Sequence, residues 1–496
     1  MRGLGPCKGA LTGKGTTLSM TVVHPVLIGA APYATRREVY VPASVAARLG
    51  LAAGDIQLGA GPLLQPARAV VVPDRPGQAP PQVVMDPALL NQLHVPHGTR
   101  LHLRFDPERR ALTLGPFVGI LALRVRRGPL YGEHDPFFRA LTRWGERLAI
   151  GAYMFAPRDV DWERRAVHGF TYSGIWPLGR WRRSTFPFPD VVYDRIQTRR
   201  TEWSAPYMRF RERLARHVPA WFNETGFFDK WRMHQELSKN PSLERLLPPT
   251  ERYANAAQLE RFLRMGRTVF LKPIGGSLGL GIICVRRTSS GFNLAFQLKD
   301  RAVLQYVPNL ARAAAKVDRA VRGRAYIIQQ GLSLATWRGR PFDVRVLMQR
   351  SQRGLWAMTK MYARIAAPGS FTANLSRGGQ GAKVGPLLRR LFGARAGTLL
   401  RQLHQTGREC AREIERTLSG TVGELGLDLG IDRRGKIWLI EVNSKPFLQM
   451  TREAGSPRTL SLSVQRPLRF ARWLAGFENG ALVQKGWAEA VEERER

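Results

Sequence analysis

From about residue 21 to 115, short apolar-rich runs are broken by Pro and Gly, which predicts short strands joined by turns. An internal echo lies within this stretch. V-P-A-S-V-A-A-R-L-G-L-A-A-G-D-I-Q-L from Val41 is answered by D-P-A-L-L-N-Q-L-H-V-P-H-G-T-R-L-H-L from Asp86. Pro42 answers Pro87, Leu49 answers Leu93, Leu51 answers Val95 and Gly54 answers Gly98. Each copy reads as a short helix, a Gly turn and a strand, and two such units can wrap a small pseudo-symmetric barrel; chance likeness between turn-rich segments is the competing reading. From about 116 the pattern changes. The run from Phe117 to Val125 is apolar but for Arg124, as in a buried, parallel strand. Phe137 to Leu148 has helical spacing, Ile150 to Phe155 reads as the next strand, and Val191 to Tyr193 as a third. This order predicts a small open α/β layer. The loop 176–189 between them is rich in Pro, Trp and Arg, which suits either stacking on a ligand or surface packing.

Composition narrows the class. At about 150 residues per domain, 496 residues suggest about three domains, and 44% hydrophobic residues exclude a wholly disordered chain. Three cysteines (Cys7, Cys284, Cys410) exclude a disulfide scaffold and have no metal-ligand spacing. The apolar run Val118 to Leu123 falls far short of the roughly 20 residues a membrane span needs. The N-terminus shows no apolar signal-peptide core, so a cytoplasmic, reducing location is expected. A net charge of +39 suggests a polyanion partner. Of the 77 basic residues, however, 65 are Arg and they are scattered, so specific nucleic-acid recognition is not expected.

Two segments carry chemistry. Thr268 to Lys272 reads as a strand running into Pro273-Ile274-Gly275-Gly276-Ser277-Leu278-Gly279-Leu280-Gly281, then the strand Ile282 to Val285. Glycines so dense let the backbone approach an anion and cradle phosphate oxygens with successive N–H groups. Lys272 at the strand end supplies a point charge. No helix follows and G-K-[ST] is absent, so this is no P-loop. A Gly-rich hairpin over phosphates is another solution, as in protein kinases. Downstream, Glu424 to Ile431 and Lys436 to Val442 flank Asp432-Arg433-Arg434-Gly435 as a hairpin. Glu441 and Asn443 share one strand face. Asp428 joins them if the loop holds two or four residues; a three-residue loop puts it on the other face, barring a bulge. Two carboxylates and an amide oxygen are hard ligands that suit one or two Mg²⁺ ions bound with nucleotide phosphates. Lys445 either touches substrate or is an exposed loop cation.

Together these residues resemble the ATP-grasp superfamily, carboxylate–amine ligases with a two-part nucleotide cleft, over about 228–450. On that resemblance Lys230, in Asp229-Lys230, matches the first nucleotide lysine, and Ile327-Ile328-Gln329-Gln330-Gly331-Leu332 falls where the hinge holds adenine. Asp343-Val344-Arg345 resembles the D-x-R strand of ribosomal-protein glutamate ligases and glutathione-synthetase-like enzymes. Arg364, then Asn374-Leu375-Ser376-Arg377-Gly378-Gly379, resembles their R…N-x-x-R-G-G run. Asp428, Glu441 and Asn443 match the metal triad. More narrowly, F-L-K-P-I-G-G-S-L-G-L-G-I-I, F-D-V-R-V-L-M-Q and G-E-L-G-L-D-L-G-I-D-R-R-G-K-I-W-L-I-E-V-N-S-K-P are similar to the YheC/YheD family, described as endospore-coat-associated ATP-grasp proteins. Many relatives carry Glu where Gln330 stands; an amide can accept from the adenine amino group and donate to a ring nitrogen, so ATP binding should survive.

The resemblance implies an α/β (α+β) ATP-grasp fold over 228–475. A small α/β domain (116–227) and a β-rich barrel-like domain (21–115) precede it, with a flexible N-terminus (1–20) and a charged tail (476–496). It implies ATP held by Lys230, Lys272, Gly275, Gly276, Ser277, Gly279, Gly281, Gln329, Gln330 and Leu332. It implies Mg²⁺ on Asp428, Glu441 and Asn443. Arg345 and Arg377 stabilise developing anions, with Arg364 in support. The substrates are then small-molecule or peptide carboxylates and amines, with spore-coat components as further partners and coat association beside a cytoplasmic location. The competing expectations are a coat structural protein that binds nucleotide without turnover, and a basic nucleic-acid-associated protein.

Overall fold

The computed structural model describes residues 22–31, 37–77, 79–174, 178–276, 279–298, 301–368, 379–451 and 455–478. Its first unit comprises β1 (Val23–Ala30), β2 (Glu38–Pro42), β3 (Gly54–Ala60), β4 (Leu63–Val72), β5 (Gln82–Met85), β6 (Arg100–Asp106) and β7 (Ala111–Gly115). They close into a barrel in the order β1-β5-β2-β4-β3-β7-β6. The two echoed copies become like parts of it. Helix α1 (Ala43–Leu49) leads into β3 and α2 (Pro87–Gln92) leads into β6. Leu49, Leu51, Leu93 and Val95 all enter the same core. Gly54 and Gly98 take φ of 133° and 78°, where an L side chain would be strained.

The second unit begins with the strand–helix–strand crossover β8 (Phe117–Leu121), α3 (Asp135–Arg147) and β9 (Gly151–Phe155). It continues through β10 (Val160–Asp161), β11 (Ala166–Ser173), β12 (Arg180–Pro187), β13 (Val191–Asp194), α4 (Arg199–Glu202), α5 (Ala205–Ala215) and β14 (Ala220–Phe222). The sheet order is β10-β11-β9-β8-β13-β14, and β9, β8, β13 and β14 run parallel. Every position of β8, β9 and β13 is buried, which is why they are apolar up to the closing Asp194 of β13. The first of these strands ends at Leu121, short of Val125. The expected loop 176–189 needs correcting. Arg180–Pro187 is a strand, paired with β11 along its whole length. Trp181 donates to Asp135 Oδ1 at 3.1 Å and meets Tyr131 and Tyr172 edge-on, so its ring packs within the protein.

The third and fourth sheets face each other across a cleft. After α6 (Lys230–Ser238) and α7 (Pro241–Glu244) come β15 (Thr250–Arg252), α8 (Ala256–Met265), β16 (Thr268–Pro273), β17 (Ile283–Arg287), β18 (Phe292–Gln297), β19 (Ala302–Val307), α9 (Leu310–Val321) and β20 (Tyr326–Gln330). These strands order as β15-β20-β16-β17-β18-β19, with α8 and α9 packed on one face through Leu259, Phe262, Ala313 and Val317. The fourth sheet contains β21 (Thr336–Trp337), β22 (Arg340–Arg350), β23 (Trp356–Ile365), β24 (Gln380–Ala382), β25 (Glu424–Ile431) and β26 (Ile437–Asn443). Helices α10 (Val384–Phe392) and α11 (Ala396–Thr417) bury Val344, Val346 and Met348 on one of its faces. By strand alternation the other face carries Asp343, Arg345, Tyr362, Arg364 and Asp428. The last helix, α12 (Pro457–Leu474), lies between this sheet and the second unit: Arg466 donates to Thr359 of β23 at 2.7 Å, and Val464, Leu468 and Phe470 join Leu347 of β22 in the core of the second unit. No described helix is long and apolar enough to cross a membrane.

Candidate active site

The loop of the β25–β26 hairpin holds three residues, since Asp432 N–H closes onto the Lys436 carbonyl at 3.0 Å. Simple alternation would then place Asp428 and Glu441 on opposite faces. The ladder slips instead. Leu429 faces Leu439, yet Asp428 faces Glu441, leaving Ile440 as the extra residue of a bulge. The bulge turns both carboxylates to the cleft, and Asn443 follows opposite Gly426.

The cleft joins these residues to the lysines. Lys230 opens α6, whose N-cap Asp229 accepts from Arg232 N–H. Its Nζ lies 3.0 Å from Glu441 Oε1 and donates to the Gly276 carbonyl at 2.5 Å. One side chain thus ties the glycine loop to the carboxylate hairpin. Lys272, buried at the end of β16, donates to Gln329 Oε1 at 2.6 Å, and Gln329 Nε2 donates to Thr250 Oγ1 at 2.9 Å. Lys230, Lys272, Gln329, Glu441 and Val442 line one pocket, floored by Met233 and Leu237 of α6. Gln330 points away from it, donating to the Thr268 carbonyl at 3.2 Å. The side chain the structure brings into the cleft from this hinge is therefore Gln329. Leu332 lies past the end of β20 and does not line this pocket. Gly279 and Gly281 take φ of 73° and 74°, so the loop bends where side chains would resist. Ser277 and Arg377 lie outside the described residues, as does Asn374.

Asp428 is held by two guanidinium groups. Arg345, directly opposite on β22, places Nε 2.5 Å from Oδ1 and Nη2 3.2 Å from Oδ2. Arg364 reaches Oδ2 at 2.9 Å while chelating Asp343 at 2.6 and 2.8 Å. Burial would raise the Asp428 carboxyl, but Arg345 and Arg364 hold it below the usual carboxylate range. Burial likewise opposes ionisation of Glu441, and Lys230 with Lys272 overcomes it. Both acids are thus kept as carboxylates. A divalent cation fits this donor set. Among the described residues, Asp428 Oδ1 accepts from one donor and Glu441 Oε2 from none, and each ionised oxygen offers two lone pairs.

Burial pushes Lys272 down to about 8, with Glu441 resisting the shift and Lys230 assisting it. Lys360, buried beside Arg345, is also pushed down to about 8. Below pH 8 both ammonium groups are charged at a desolvation cost; between 8 and 10.5 the unfolded chain binds more protons than the native one, so stability rises with pH there. Phosphate attraction runs the other way. Nucleotide affinity is expected to fall as pH rises through about 8, and Lys272→Met should bind weakly with a flat profile. Titrations between pH 7 and 9.5 check this; an unchanged slope in the variant would clear Lys272 of the role.

Sequence reasoning missed the polar clamp beneath the hairpin. Lys445 is not an exposed loop cation: it is buried, donating to Asp194 Oδ1 at 2.6 Å and pairing with Glu202. Arg195 binds Glu424 at 2.5 Å and the Pro446 carbonyl at 2.9 Å. Tyr193, Asn223 and Gln349 complete the shell of Glu424. Asp194, Arg195 and Asn223 stand at the carboxyl ends of parallel strands, where open α/β sheets present their functional groups. That position, just past the predicted strand at Val191, was the available signal.

The family model for the YheC/D like ATP-grasp domain matches residues 219–474. The chain belongs to that family, and its two facing sheets are the ATP-grasp fold. Among curated proteins it is 27% identical over 400 residues to the endospore coat-associated protein YheD of Bacillus subtilis (strain 168), covering 79% of this chain and 86% of that protein. The endospore coat-associated protein YheC of the same organism is 21% identical over 315 residues, covering 63% and 86%. Among solved structures, D-cycloserine synthetase DcsG aligns with 72% of this chain and 99% of its own at 16% identity and a TM-score of 0.44.

Proposed function

We propose that this protein is an ATP- and Mg²⁺-dependent carboxylate–amine ligase that acts in the cytoplasm and associates with the endospore coat. The observation that carries the reading is the Lys230 ammonium, bonded at once to the glycine loop and to Glu441, with Lys272 lining the same pocket. Three separated segments thereby offer cations and carboxylates to a single triphosphate. Adenine would lie toward Gln329, and Lys230, Lys272 and the loop from Gly275 to Gly281 would hold the phosphates. Asp428, Glu441 and Asn443 would hold magnesium, which when bound offsets charge on the phosphates. Arg345 and Arg364 present guanidinium groups where negative charge develops. A substrate carboxylate oxygen attacks the γ phosphorus, ADP leaves, and an acylphosphate forms. An amine nitrogen then attacks the acyl carbon, expels phosphate and loses its proton. Positioning and charge neutralisation accomplish this without a covalent enzyme intermediate.

Coat association is inferred from the names of YheD and YheC. The clamp of Asp428 by Arg345 and Arg364 favours a second reading, a coat protein that binds nucleotide without turnover. ADP release with Mg-ATP and pooled amino acids or acidic peptides separates the two. Acceptor-dependent ADP, with a matching amide product by mass spectrometry, is expected. Tight Mg-ATP binding with no ADP from any acceptor would establish the scaffold instead.

A further inference from the structure

The connector between β13 and α5 brings one more cation beside the segment that leads into Lys230 and α6. Arg199, at the start of α4, has Nη2 bonded to the Phe228 carbonyl at 2.9 Å. Its Nε and Nη1 are shut off from water and have no partner. The guanidinium plane is held by rings, with Phe227 at 5.0 Å and Trp203 at 5.8 Å from its carbon. The acids around it are committed elsewhere. Glu202 binds Lys445 and the Phe227 N–H, Asp229 caps α6, and Glu441 binds Lys230. Buried donors without acceptors are costly and are kept where something fills them. Burial lowers the Arg199 guanidinium, and the charges of Glu441, Glu202 and Asp229 resist that shift. Trp203, on the same connector, sets its ring 3.1 Å from the point a Gly275 Cβ would occupy, against the glycine loop.

We infer that Arg199 binds the terminal phosphoryl group of the nucleotide, with its free Nε and Nη1 donating to phosphoryl oxygens. This rests on the ATP reading above and adds to it a ligand from the second unit, outside the residues the family model matches. A fork of fixed geometry suits an oxyanion better than a lone ammonium does. It would act on the phosphoryl group that moves, and leave ADP alone.

The test is titration of the full-length protein with Mg-AMP-PNP and Mg-ADP. Arg199→Gln and Arg199→Met are each expected to weaken AMP-PNP by about tenfold while ADP changes less than about twofold, so the affinity ratio falls. Met keeps the stack on the rings and controls for loss of packing. A ratio unchanged in both variants, or equal losses for both nucleotides, would overturn the assignment and leave Arg199 a packing residue. Failure of the wild type to bind either nucleotide would overturn the ATP reading, and this assignment with it.

Discussion

Glu441→Gln is expected to abolish the Mg²⁺ dependence of nucleotide binding and to lower turnover by at least about 100-fold. The substitution keeps the side chain's shape and removes one charge. In the native cleft that charge neutralises Lys230 at 3.0 Å and steadies Lys272 against a desolvation that already pushes it down to about 8. Without it two ammonium groups face each other across the pocket, and Asp428, already shared between Arg345 and Arg364, is the remaining acid of the triad. The cation then loses an anionic donor, whereas free triphosphate, drawn by the same lysines, still binds. Titration with and without Mg²⁺ separates these effects. A variant that keeps the wild-type difference between the two conditions would remove Glu441 from the metal set.

The parts of this site legible in the sequence are those whose chemistry is local. A dense glycine run beside a strand-end lysine identifies itself by backbone demands alone, and Glu441 with Asn443 shares a face by alternation. Asp428 was undecidable because loop parity and a bulge trade against each other. The slip at Ile440 shows only in the pairing of the two strands, where Asp428 faces Glu441 while Leu429 faces Leu439. On the adenine side Gln329 and Gln330 were both expected; neighbours on one strand, they turn to opposite faces, and Gln329 is the one that lines the pocket. Strand β12 was read as loop because Arg180, Arg182 and Arg183 are exposed on a hairpin arm and leave no apolar run. Arg195 and Arg199 were invisible among 65 arginines; only their placement past a parallel strand singles them out.

Lys445 shows how far such contacts lie beyond local pattern, since its carboxylate partners are 251 and 243 residues away in the chain. Lys445→Met is expected to destabilise the protein by about 3–5 kcal/mol. The ammonium is the shared partner of Asp194 and Glu202, all three nearly sealed from water. Met fills the volume, so the loss is electrostatic: two carboxylates remain buried without their cation. Tyr207, which donates to Asp194 at 2.8 Å, and the Phe227 N–H on Glu202 soften the penalty without cancelling charge. Urea unfolding should show a lower midpoint at unchanged slope. Adding Asp194→Asn and Glu202→Gln to Lys445→Met should recover most of the loss, because a cluster replaced as a whole leaves no orphan charge. Lys445 also stands two residues beyond Asn443, on a segment pinned by Ser444 Oγ to the Gly226 carbonyl at 2.5 Å and by Arg195 to Pro446. Freeing one of three pins should therefore weaken Mg-nucleotide binding as well as stability. A single variant within about 1 kcal/mol of wild type would mean that water reaches the cluster and that the second unit does not hold the hairpin in place.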